Sequence, residues 1–87
     1  MIETVELPDK AVIMTTEEGT VSGLLDIAVD ESGAGLVRYR GTDAWLTIGN
    51  LDDEPPAVWA AVADLVSAIE DAAGAKDIAG NAIPFET

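Results

Sequence analysis

Apolar and polar positions alternate singly through the first half of the chain and switch to a three- and four-residue period in the second. Val58, Trp59, Val62, Leu65, Val66, Ile69 and Ala73 share one face of a helix drawn over Pro56 to Ala73. Pro56 suits the first helical position, where its missing N–H costs nothing, and Pro55 before it is held away from the α region. Gly74 is the expected stop, with Lys76 near the negative end of the helix dipole.

The single alternation predicts strands. Ile2 to Leu7 places Val5 and Leu7 opposite Thr4 and Glu6. Ala11 to Thr16 is a nearly continuous apolar and β-branched run, and Glu17-Glu18-Gly19 closes a short hairpin. Thr20 to Val29 reads as one strand, in which Gly23 predicts a bulge or a close approach by the covering helix. Asp30 to Gly35 is a loop tip, Leu36 to Arg40 returns as a strand, and Ala44 to Ile48 pairs with it. In the tail, Ile78, Ile83 and Phe85 surround a Gly80-Asn81 turn and are expected to fold back onto the domain. The pattern predicts an α+β fold: an antiparallel four- or five-stranded meander, covered on one face by a single C-terminal helix (about 56–73), then a short docked tail.

Eighty-seven residues make one small domain, 1–87, with little core to spare. An apolar share of 48% is that of a globular protein, so the charge does not imply disorder. That charge changes the picture most. Seventeen acidic residues face four basic ones, giving a formal net charge of −13. Such a field repels nucleic acid and anionic membrane and attracts basic partners.

Cysteine and histidine are both absent, which removes disulfides, thiolate nucleophiles, zinc-thiolate sites and imidazole catalysis. No Gly-rich phosphate loop, nucleophile elbow or Ser–Lys pair is present, so the reading is non-enzymatic, with no catalytic residue, cofactor or metal. Asp52-Asp53-Glu54 could hold a hard cation, yet adjacent side chains diverge and dipole complementation at the helix start explains the run more simply. Asp26, Asp30 and Glu31 invite the same cation and are better read as an exposed loop tip. The N-terminus has neither a basic nor an apolar leader region, and no run reaches the ~18 apolar residues of a membrane span. A cytoplasmic protein is the expectation.

Four candidate partner-binding features remain. Arg38 and Arg40 share a strand face and form a small positive spot that could grip a carboxylate or phosphate, although cross-strand pairing with Asp26 or Asp43 accounts for them as well. Trp45 lies opposite Leu46 and Ile48, either exposed as a hot-spot residue or buried under the tail. The run Asp52, Asp53 and Glu54 is the third feature. The fourth is the outer side of the helix, where Ala57, Ala61 and Ala68 with Asp64 and Asp71 make a smooth surface open to a partner helix or a second copy.

One short string, Leu46 to Leu51 (LTIGNL), resembles the targeting peptides by which cargo proteins dock inside encapsulin shells. Those peptides sit on flexible termini, whereas this string lies mid-chain in a predicted strand and turn, and no function is taken from it. The functional expectation is a non-enzymatic acidic module of the inhibitor, immunity or accessory type that docks on a basic protein surface. The alternatives are a nucleic-acid mimic that blocks a DNA-binding protein, and a small structural subunit whose acidity is an adaptation to salt.

Overall fold

A computed structural model describes residues 2–8, 11–50, 57–72, 78–80 and 83–86. Among these residues the strands are β1 (Glu3–Glu6), β2 (Ile13–Thr15), β3 (Gly19–Val21), β4 (Leu24–Val29), β5 (Gly35–Tyr39) and β6 (Leu46–Thr47), followed by one helix, α1 (Val62–Ala72). The α+β class with a single C-terminal helix therefore holds. A four-stranded antiparallel sheet has the order β1-β4-β5-β6, and β2 with β3 forms a separate two-stranded sheet.

The strand order departs from a consecutive meander at one point: β1 pairs with β4, and the β2–β3 hairpin is inserted between them. The cause is local. The run Thr20 to Val29, expected as one strand, breaks at Ser22-Gly23, where Gly23 has a φ of 94°. A Cβ at Gly23 would meet nothing within 4 Å, so conformation and not a nearby helix requires glycine here. The close approach by the helix falls instead at Gly35, where an added Cβ would lie 3.0 Å from Leu65 Cδ2.

Backbone hydrogen bonds join the two sheets. Thr16 N–H donates to the Thr47 carbonyl (2.9 Å) and Gly49 N–H to that of Met14 (3.1 Å), around an antiparallel bridge between Thr15 and Ile48. Along the same edge of β2, Met14 N–H donates to the Phe85 carbonyl and Phe85 N–H to that of Val12, both at 2.9 Å. The docked tail is thus a parallel bridge between Ile13 and Phe85. Only Phe85 of the three tail residues packs against the core; Ile78 and Ile83 are exposed.

The single alternation of the strands sorts their side chains as expected. Val5, Leu25, Ile27, Val37, Leu46 and Ile48 point inward from the sheet and are buried with Ile13 and Val21 of the hairpin. Val62, Leu65 and Ile69 of α1 complete this core, spaced three and four residues apart along one helix face. In the hairpin turn, buried Thr15 donates its hydroxyl to the Gly19 carbonyl (2.6 Å) and accepts the Glu18 N–H (3.2 Å).

The helix is shorter than the period predicts. It starts at Val62, and residues 57–61 are not helical. Trp59 N–H is instead donated to the Gly33 carbonyl (2.8 Å), tying this segment to the β4–β5 loop. Docking at Gly33 overrides the helical propensity of the alanines. Val58, expected on the buried stripe, is consequently 77% exposed, while Trp59 still packs against the core. Pro56, Ala73, Gly74 and Lys76 lie outside the described residues.

Candidate interaction surfaces

The face of the four-stranded sheet turned away from α1 carries a polar row set by register. Thr4 stands opposite Asp26, and Asp26 opposite Arg38. Thr4 donates its hydroxyl to Asp26 Oδ1 and Arg38 donates Nε–H to Asp26 Oδ2, both at 3.0 Å. The Arg38 guanidinium, together with the Thr4 hydroxyl, holds the Asp26 carboxyl below the usual carboxylate range against the opposing effect of burial. The same guanidinium lies over the Trp45 ring, 4.3 Å from its centroid.

Arg38 is therefore committed to Asp26 and Trp45, as cross-strand pairing predicts, and it does not join Arg40 in a free anion site. Arg40, exposed two residues further along the same face, contributes a weaker lowering of the Asp26 pKa. Trp45 is half-buried, its ring covered by Arg38. The string resembling an encapsulin-targeting peptide is built into the core: Leu46 is buried and Ile48 fully so, and Leu51 lies outside the described residues.

On α1 the solvent side consists of Ala63, Asp64, Ser67, Glu70 and Asp71, and Ala68 is half-buried. Ala57 and Ala61 are exposed but precede the helix, so they do not belong to its outer face. That face is more acidic than an alanine surface. Glu70 was not among the sequence candidates, although its position beside buried Ile69 makes its exposure readable from the helical period. Asp52, Asp53 and Glu54 lie outside the described residues.

Two clefts lie among the described residues. The larger, about 350 Å³, lies between the β4–β5 loop and residues 58–62. Its loop wall is shaped by Asp30, whose Oδ1 accepts Ser32 N–H (2.8 Å), Ser32 Oγ–H (2.7 Å) and Ala34 N–H (3.0 Å). These bonds, led by that of the Ser32 hydroxyl, hold the Asp30 carboxyl below its ordinary range. Asp30 thus serves its own loop. Trp59 also lines this cleft, and its indole N–H is buried without a hydrogen-bond partner among the described residues. The smaller cleft, about 220 Å³, opens at the edge of β1 and is lined by Val5, Glu6, Leu7, Pro8 and Glu70.

Every described carboxylate other than Asp26 belongs to an exposed residue. Among the described residues, no group of three or more acidic side chains is arranged to hold a metal ion. None of their helices is long and apolar enough to cross a membrane. No family model matches the chain, and neither the curated proteins nor the solved structures include a significant match.

Proposed function

We propose that this protein is a non-enzymatic acidic interaction module, of the inhibitor, immunity or accessory type, that docks on a basic protein surface. The observation that carries the reading is the external placement of its charge. Within the described residues one ion pair forms, between Asp26 and Arg38, and it uses the one carboxylate that is withdrawn from solvent. The other described acids face outward and leave the field of a −13 chain uncancelled by internal pairing. A field of this size steers a basic partner and raises its association rate, and it does so less as salt rises.

The solvent side of α1 is the surface best suited to the contact. Asp64, Glu70 and Asp71 stand on one helix among the small side chains of Ala63 and Ser67, and α1 itself contains no lysine or arginine. Two copies meeting through this face would set like charges against each other, which favours a basic partner over self-association.

The test is retention of basic proteins from a lysate on the immobilised domain at low and moderate salt, repeated with the triple variant D64N/E70Q/D71N. Retention that falls with salt and is weakened in the variant supports the reading. Absence of any salt-sensitive partner overturns it.

A further inference from the structure

The smaller cleft lies beside a strand edge whose backbone groups have no strand partner among the described residues. Leu7 N–H donates to the carbonyl of Gly23, the residue directly opposite it when the β1–β4 register is extended by one pair. In an antiparallel ladder the residues that exchange bonds alternate, so Glu3, Val5 and Leu7 turn their N–H and C=O groups toward β4. On the far side of β4, Arg40 N–H donates to the Leu24 carbonyl, which assigns the even residues of β4 to β5 and leaves the odd ones for β1. Both observations give the same parity. The N–H and C=O groups of Thr4 and Glu6 consequently point away from the sheet, and among the described residues β1 pairs with β4 alone.

A free edge is a template for another strand. What it accepts is decided by the charges around it. Glu3, Glu6 and Glu70 are exposed at or beside this edge, and Val5, Leu7 and Pro8 supply apolar lining to the cleft. Pairing β1 with its own copy would gather Glu3 and Glu6 of both copies along one seam, where their like charges repel. An extended segment carrying lysine or arginine has the complementary charge. The cleft, at about 220 Å³, is smaller than a typical small-molecule pocket. Its apolar lining and two carboxylate residues match the apolar stem and charged head of one long basic side chain.

We infer that β1 binds a basic extended segment of a partner protein by strand addition, with the N–H and C=O groups of Thr4 and Glu6 forming the new ladder and one lysine or arginine seated in the cleft between Glu6 and Glu70. This rests on the proposed function and extends its contact from the solvent side of α1 to the β1 edge, with Glu70 common to both, and from a basic surface in general to a basic strand.

The probe is the blocked heptapeptide Lys-Thr-Lys-Val-Lys-Thr-Lys, compared with the same peptide N-methylated at alternate amides. Methylation keeps the charge and removes the donors a ladder needs. Binding is followed by amide exchange and by titration of the full chain. The expected result is slowed exchange at the Thr4 and Glu6 amides. Affinity should fall about tenfold or more on N-methylation, since several hydrogen bonds are lost together. The E6Q/E70Q variant should weaken the unmodified peptide several-fold, and D64N/D71N less. Equal binding of both peptides, or protection elsewhere with Thr4 and Glu6 unchanged, overturns strand addition while leaving a charge-based module intact. No binding of either peptide at low salt, together with no basic protein retained, overturns both readings. A dimer of the free protein whose Thr4 and Glu6 amides are already protected would assign the edge to a second copy and overturn the inference.

Discussion

Asp26 shows how one residue links charge to fold. It is the buried member of the Thr4–Asp26–Arg38 row, and its carboxyl titrates below the ordinary value of about 3.9. A folded-state pKa below the unfolded one contributes stability above the unfolded pKa and loses it as pH falls through the folded value. Lowering the pH below about 4 should therefore erode the Asp26 contribution. The other carboxylates shed their mutual repulsion over the same range, so the measurable quantity is the difference between wild type and Asp26→Asn. In urea unfolding, that difference should be largest near neutrality and shrink in acid; a difference independent of pH would count against the assignment. Thr15 offers a second test. Thr15→Val keeps the shape and removes the hydroxyl that receives Glu18 N–H and reaches the Gly19 carbonyl. A loss of about 1–3 kcal/mol is expected, read as a lower urea midpoint with an unchanged slope.

Elements were legible from sequence where one period ran unbroken and failed where a backbone contact intervened. Val62, Leu65 and Ile69 were placed correctly because the helical period alone buries them. The same period assigned Val58 to the stripe, since sequence does not reveal that Trp59 N–H bonds to the Gly33 carbonyl across the fold. Gly33 is the other half of that contact, with a φ of 89° and a position where an added Cβ would collide with the Val58 side chain. Gly23 has a similar φ and open space around it. Gly33→Ala should therefore destabilise more than Gly23→Ala, whose cost is the conformational term of about 1–2 kcal/mol. Equal losses in the two variants would show that the 57–59 segment is not seated as described. The short helix also begins on a poor cap, Ala61, whose carbonyl accepts Asp64 N–H (3.2 Å). Ala61→Ser supplies a side-chain acceptor and should raise stability by about 1 kcal/mol, measurable as a higher melting temperature.

For the molecule as a whole, the sign of the charge was plain from sequence and its arrangement was not. Cross-strand pairing of the arginines with Asp26 or Asp43 was expected from strand spacing and Asp26 is the partner of Arg38, whereas the edge cleft depends on β1 pairing with β4, a long-range choice that goes with the break at Gly23. Glu6 and Glu70 are far apart in the chain, and no local pattern places them beside one cleft. A net charge of −13 on one small domain sets a further expectation. Raising KCl from ~0.1 to ~1 M contracts the Debye length from about 10 to about 3 Å and should relieve self-repulsion. Thermal unfolding followed over that range should give a melting temperature that rises with salt; a flat or falling curve would show that the exposed acids do not strain the fold.

The bridge between Ile13 and Phe85 has a consequence for the order of events in folding. The β2–β3 hairpin needs only residues 13–21 and can form as soon as they are available, but the other edge of β2 waits for partners from Thr47 onward and then for Phe85. Contacts that close such large loops form late and slow the approach to the native state. Until they do, Val12, Met14 and Thr16 leave their backbone groups open within the largely apolar stretch from Ala11 to Thr16. Crowding nascent chains with one another at that stage is opposed by the charge they share, so the acidity of the chain keeps its unfinished copies apart.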